Sequence, residues 1–303
     1  NEISRQAQPN PSFLLQVSTI FYRRLCRLTR SIENLIMSLH ALFIIAAGVL
    51  FITMLSNSNK TANWYYYSVY LQLAYAFSMG YYSSSIVQEK ESSKKQLLIS
   101  LGLMPLPYWL GTLLCDMIPL FLINLISTLG YSYFVGSQLN GSENSLIPST
   151  FGFFMSGLVL SYGQLTCSYM WSFMFKKSRT ALQTYPFFYY LILYSIPRIF
   201  ANYIYYQEFD LESDPYSSAL LRFVIWVSYA LCPTSIFLDE IFPAYFFLKN
   251  PPRYIQSIGT LSVLMLGFGT MYLILTIVFD VWRLNSGSSE VVVAQTSTEE
   301  NQT

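Results

Sequence analysis

The sequence predicts an all-α, polytopic membrane protein with six membrane-crossing helices, and three observations support that class. Only 11% of the residues are charged, while 53% are hydrophobic and 17% aromatic. A soluble domain carries about a quarter charged residues, so most of this surface faces lipid. Six nearly uncharged runs each reach the roughly 20 residues that a helix needs to cross a hydrocarbon core of about 30 Å. Backbone amides in lipid must pair within their own segment, and the runs are too long for barrel strands, which leaves helices. Third, the 17 Lys and Arg are clustered while the 16 Asp and Glu are spread along the chain, the asymmetry expected of a membrane topology.

Residues 1–33 form a predicted cytoplasmic N-terminal segment. Within it, 13–30 mixes apolar residues with Arg23, Arg24, Arg27 and Arg30. It suits an amphipathic helix lying in the interface with its arginines toward lipid headgroups, or an ordinary positive flank of the first span. The transmembrane domain covers 34–283, with spans at 34–55, 64–87, 106–135, 149–175, 181–206 and 256–282. Between spans five and six, the apolar runs 220–231 and 235–248 are each too short to cross and are broken at Cys232-Pro233. They predict a re-entrant helical hairpin whose backbone is covered by protein. Residues 284–303 are rich in Ser, Thr and Glu and predict a disordered cytoplasmic tail or linker. The chain opens on Asn1 with no signal-peptide pattern, so a piece of a longer protein is expected.

Orientation follows from the connections. One side carries Arg5, Arg23, Arg24, Arg27, Arg30, Lys90, Lys94, Lys95, Lys176, Lys177, Arg179 and Arg283, and the other only Lys60, Arg222, Lys249 and Arg253. Positive charge is retained in the cytoplasm, so both termini are expected there, in a plasma or endomembrane rather than an organellar one. Two N-glycosylation tripeptides, at Asn59 and Asn140, fall in connections assigned to the outside, while a third at Asn301 falls in the tail and should be silent.

Charged groups inside spans are expensive and mark candidate sites. Asp116 in span three and Arg198 in span five qualify. Ser195, Arg198 and Asn202 share a helical stripe with Thr184, Leu191 and Tyr205, and Ser68, Gln72, Tyr75 and Tyr82 share another. Such stripes face a central cavity or make helix-to-helix hydrogen bonds, and the pattern leaves both open. Pro119, Pro186 and Pro197 are expected to kink their helices. The single histidine, His40, has no carboxylate or cysteine beside it in sequence and is expected to be structural, which argues against hydrolases needing a histidine base. Cys26, Cys115, Cys167 and Cys232 lie far apart with no CxxC spacing, so neither a disulfide framework nor a metal site is expected. A net charge of +1 offers no surface for nucleic acid.

The most specific stretch runs from Glu89-Lys90-Glu91 through Gly102-Leu103 and Tyr108-Trp109 to Asp116. It resembles the signature of the transmembrane domain of ABC exporters of subfamily A, and Leu231-Cys232-Pro233-Thr234-Ser235 is similar to the segment before that family's sixth helix. The resemblance covers most of 13–283. The first extracellular connection, 56–63, is short, where animal subfamily A proteins carry a large domain. That makes it closer to subfamily G or to short single-celled-eukaryote relatives.

The resemblance implies a type-2 (type-V) exporter fold and a lipid or other amphiphile as cargo. It implies that 88–96, with Glu89, Lys90, Glu91, Lys94 and Lys95, is the coupling segment docking on a nucleotide-binding domain. It also implies a second transmembrane domain as partner in a homo- or pseudo-dimer, surrounded by membrane lipid. No GxxxxGK[ST] loop occurs in the chain. ATP and Mg therefore belong to a domain elsewhere, on the same polypeptide or another subunit; this segment holds no cofactor and hydrolyses nothing by itself. The rivals are a channel, a secondary transporter or a structural membrane subunit. No span repeats Arg at every third position as a voltage sensor would, no Gly-rich filter lies between spans five and six, and the halves show no repeat.

Overall fold

The computed structural model describes residues 12–55, 60–136, 143–197, 199–200, 219–232, 236 and 258–300, with side chains described over 12–50, 67, 69–132, 150–197, 199–200, 223–232, 236 and 260–284. Secondary structure in these residues is entirely helical: α1 Phe13–Arg30, α2 Ile32–Leu55, α3 Lys60–Glu91, α4 Lys94–Ser100, α5 Pro105–Gly136, α6 Glu143–Trp171, α7 Ser178–Phe187, α8 Ala219–Leu231 and α9 Ile258–Glu300. Three of them are long and apolar enough to cross a membrane, within Ile32–Leu50, Pro105–Ser132 and Thr260–Leu284. α3 and α6 are 32 and 29 residues long but carry polar and aromatic stretches such as Tyr81-Tyr82-Ser83-Ser84-Ser85 and Ser161-Tyr162-Gly163-Gln164.

Burial is inverted relative to a soluble core. The largest fully buried side chains are Trp109, Tyr67, Tyr75, Tyr82, Tyr108, Tyr131, Tyr169, Tyr185 and Phe153, whereas α5 exposes Leu114, Ile118, Phe121, Leu122, Leu125, Ile126 and Leu129. These exposed positions recur every three or four residues and form an aliphatic stripe fit for acyl chains. Several of these buried tyrosines place the hydroxyl on a polar partner, whereas those of Tyr82 and Tyr185 have none. Tyr67 donates to Ser127 O at 2.6 Å, Tyr75 to Asn124 Oδ1, and Asn124 Nδ2 in turn to Ser161 Oγ.

α1 lies along α5, α3 packs on α2, α6 and α7, α5 packs on α6, and α6 packs on α9. At the α3–α7 crossing, a Cβ on Gly80 would lie 2.7 Å from Pro186 Cγ and 3.3 Å from Leu182 O, so the absent side chain sets the approach of the two helices. Pro186 has no N–H for Leu182 O, and just beyond it the backbone changes to a π-helix over Phe188–Ser195. α8 has 13 residues, about 20 Å of helix and too short to cross. The backbone of α9 stays helical to Glu300, through most of the stretch whose composition suggested an irregular tail. Asn59, Asn140, Asn301, Arg198, Asn202, Tyr205, the Ser68 side chain and nearly all of 235–248 lie outside the described residues.

Candidate functional site

The chain doubles back twice between α3 and α5. The first turn passes through Ser93 in a left-handed conformation (φ 52°) and the second through Gly102 (φ 93°). At the second, Gly102 N donates to Ile99 O at 2.9 Å and Leu103 N to Leu98 O at 3.0 Å, a Schellman close to α4 that favours glycine at its left-handed position. The Gly102-Leu103 pair is thus a helix stop. It returns the chain so that Tyr108 and Trp109 face the end of α3.

Glu89, in the last turn of α3, is 1% exposed and gathers four donors. Arg23 Nη2 reaches Oε2 at 3.2 Å, Arg24 Nη1 reaches Oε1 at 3.3 Å, Arg27 Nη1 reaches Oε1 at 2.8 Å, and the Tyr108 hydroxyl donates to Oε2 at 2.7 Å. Burial by itself would raise the Glu89 pKa, but Arg24 and Arg27 outweigh it and hold the carboxyl below its usual range. Arg24 is shared: its Nη2 donates to Asp116 Oδ2 at 3.1 Å and to Ser85 Oγ at 2.9 Å. The Tyr169 hydroxyl donates to Asp116 Oδ2 at 2.7 Å. Burial disfavours the charge on Arg24, yet Asp116 and Glu89 overcome it and keep its pKa well above the ordinary value. The expectation that these arginines turn toward lipid headgroups is therefore corrected for Arg24, which is buried, and for Arg23 and Arg27, which point at Glu89. The reason is that a carboxylate left alone at the base of α3 is much costlier than one ringed by guanidinium groups.

A second ion pair closes the other end of the segment. Lys95 Nζ, on α4, donates to Asp280 Oδ1 of α9 at 2.6 Å, and Trp109 Nε1 donates to Oδ2 at 3.0 Å. The ammonium lies 4.5 and 4.4 Å from the centroids of the Tyr108 and Trp109 rings, close enough for cation–π attraction. Burial lowers the Lys95 pKa, against the pull of Asp280.

The five charges of the predicted coupling segment are thus put to different uses. Glu89 and Lys95 are interior. Lys90 is half-buried with its Nζ 3.8 Å from the Phe173 ring centroid. Glu91 is exposed, and its Oε2 accepts the Ser178 N–H at 3.0 Å, placing a carboxylate at the positive N-terminus of α7. Lys94 is exposed and, with Arg27, Glu33, Asn34, Gln88 and Ser92, lines an open polar cleft of about 320 Å³.

Of the stripe residues, Gln72 Nε2 donates to Tyr194 OH at 2.9 Å and Ser195 Oγ to Tyr190 O at 2.8 Å. Tyr75 and Asp116 are buried in inter-helix hydrogen bonds. His40 is held by Met37 O and sits edge-on to Phe77 at 6.3 Å. Sequence reasoning passed over Asp280, although it lies within the sixth predicted span, and the cost of a carboxylate there was signal enough to select it. Nothing in the sequence marked Tyr169 or Ser85.

No family model matches the chain, and no curated protein matches it. The described residues define a helical protein with three helices fit to cross a membrane, in which one buried cluster on Glu89 ties the end of α3 to α1, α5 and α6 and a second on Asp280 ties α4 and α5 to α9.

Proposed function

We propose that this chain is the membrane-spanning domain of an ABC-type transporter that exports or flips lipid or another amphiphile. ATP and Mg are bound by a nucleotide-binding domain outside the segment, and a second, similar transmembrane domain completes the pathway. The observation that carries the proposal is the double fastening of the α3–α4–α5 segment, at Glu89 and at Lys95. Two buried ion pairs make this short segment a lever rather than a loop: a push on its exposed edge moves α3 and α5 together, and through Asp280 it moves α9. In this proposal the outer residues Gln88, Glu91 and Lys94 meet the ATPase domain. Glu89, Lys90 and Lys95 transmit the push inward. The fold is the six-span exporter arrangement with α1 at the interface, α8 as the first arm of a re-entrant hairpin, both termini cytoplasmic, and Asn59 and Asn140 outside.

The exposed positions give the cleaner test. Glu89→Lys would bring a fourth cation among Arg23, Arg24 and Arg27, so loss of activity there would report misfolding. Lys94→Glu combined with Gln88→Lys changes only exposed groups, and interfacial charges set register and specificity more than raw affinity. In the complete transporter, reconstituted in liposomes with its ATPase domain, this pair should lower cargo-stimulated ATP hydrolysis and lipid movement together while nucleotide binding persists. Unchanged stimulation and transport would remove the coupling role. Lipid or ion movement by wild-type protein without nucleotide would move the chain into the channel or scramblase class.

A further inference from the structure

The helix that begins as α7 is interrupted twice by proline, and between the interruptions its hydrogen-bond register changes. Pro186 and Pro197 each lack the N–H that a helical turn would use, which frees a carbonyl one turn earlier. Just past the first proline, the Phe188 N–H is shared between Thr184 O and Tyr185 O. Over Phe188–Ser195 the backbone is π-helical, and at its far end the Ile196 N–H reaches Leu191 O, five residues back. The Ser195 hydroxyl donates to Tyr190 O at 2.8 Å, also five residues back, so a side chain supports the wider turn. π-Helix is rare and recurs at functional sites, and helices bend at prolines and at π segments.

The two sides of this segment are held by different means. On the near side α7 is fastened to α3 by backbone as well as side chains. The Ser178 N–H donates to Glu91 Oε2 and the Ser84 hydroxyl to Ser178 O, both at 3.0 Å, and Phe187 meets Phe77 edge-on at 6.5 Å. At the crossing, a Cβ on Gly80 would lie 2.7 Å from Pro186 Cγ, so Pro186 sits against the backbone of α3 and serves as a fulcrum. Beyond it, the contact across the same interface is a side-chain hydrogen bond, from Gln72 Nε2 to Tyr194 OH at 2.9 Å, between two half-buried groups. One such bond is worth little enough to break and re-form.

We propose that the π segment Phe188–Ser195 is a hinge, with α7 riding on α3 and the helix beyond Ser195 turning against it, and that the Gln72–Tyr194 hydrogen bond is the latch holding the observed position. Rewinding the segment to α-helical bonding turns everything beyond it about the helix axis and carries Tyr194 away from Gln72. Each N–H that leaves its carbonyl five residues back meets another four residues back, so the exchange keeps buried amides paired. A few residues that absorb a change of backbone angles between two fixed pieces are what a hinge requires. The device does not depend on coupling to ATP.

The test is double electron–electron resonance on the full chain in nanodiscs, with Cys26→Ser removing the half-buried cysteine and leaving the three buried ones. Nitroxides on Gln88→Cys and Gln183→Cys measure α3 against α7, and those on Gln88→Cys and Ile199→Cys measure α3 against the far side of the segment; all three positions are exposed. The first pair should give one narrow distance distribution and the second two populations. Tyr194→Phe, which removes the latch and little volume, should raise the minor population of the second pair by about fivefold, the effect of losing one net hydrogen bond, and leave the first pair unchanged. Gln72→Leu should do the same. One narrow distribution from both pairs, in wild type and in both variants, overturns the hinge. So does broadening of both pairs together, because α7 itself would then be leaving α3. Two populations that neither variant alters overturn the latch.

Discussion

Lys95 and Asp280 meet at 2.6 Å across 185 positions of chain, fastening the short α4 segment to the middle of α9. Both side chains are more than nine-tenths buried, which makes either partner costly to leave alone. Lys95→Met, which strands the Asp280 carboxylate, should destabilise the protein by about 3–5 kcal/mol. Lys95→Met combined with Asp280→Leu should recover most of that loss. Thermal unfolding of the detergent-solubilised chain reads both, and additive single and double effects would show that the pair is not coupled.

Glu89 gives a pH dependence of known sign. Its pKa is lowered on folding, so its stabilising contribution is complete above the unfolded value of about 4.3 and is lost as pH falls through the lower folded value. Glu89→Gln should therefore be less stable than wild type at neutral pH, by about 1.5–3 kcal/mol for hydrogen bonds to a charged group. The difference should shrink as pH falls below 4.3. A gap that stays constant down to acid would assign Glu89 a packing role only.

Lys90 gives a dependence of the same sign in a higher pH window. Burial first, then Lys95 and Arg283, lower its pKa to about 7, against about 10.4 in an unfolded chain. Between those values the unfolded state binds the extra proton, so stability contributed by this residue rises with pH from 7 toward 10.4 and is flat below 7. Comparing wild type with Lys90→Met in lipid-free detergent should show wild type gaining on the variant over that window. Parallel pH profiles would mean that Lys90 keeps an ordinary pKa.

Gly111 governs how α1 docks. A Cβ there would lie 2.7 Å from Val17 O and 2.9 Å from Ile20 Cβ, and since the first contact is backbone the whole of α1 must shift. Gly111→Ala should destabilise by about 1–3 kcal/mol, as overpacking does, and loosen the Arg24–Asp116 pair. A cysteine cross-link engineered between α1 and α5 should form more slowly in the variant. Gly267 is the control: nothing lies within 4 Å of its built Cβ, so Gly267→Ala should be neutral or stabilising by up to about 1 kcal/mol through helix propensity alone.

How far the site was legible depends on the residue. Glu89 and Lys95 stand out as members of a dense mixed-charge segment between two long helices that the family resemblance implies is a coupling segment, and Asp116 as a carboxylate inside an apolar run. Only Asp116 follows from the cost of charge near lipid alone. The use of each charge was not legible, because ion pairs such as Arg24–Asp116, 92 positions apart, are set by which helix faces which. The arginines of α1 show the difference. Their sequence fits an outward-facing interfacial helix, but α1 lies along α5, and that contact turns Arg24 toward Asp116.

The sequence alone determined the helical class and its membrane character, because an apolar run of about 20 residues has one economical way to pair its backbone in lipid. It also determined where charge is scarce and therefore expensive. Only the tertiary structure decided which charges neutralise one another. In apolar surroundings an ion pair is worth keeping only at hydrogen-bonding distance, and the contacts that bring Arg24, Glu89 and Asp116, or Lys95 and Asp280, to that distance come from the packing of α1, α3, α4, α5 and α9, not from any local pattern.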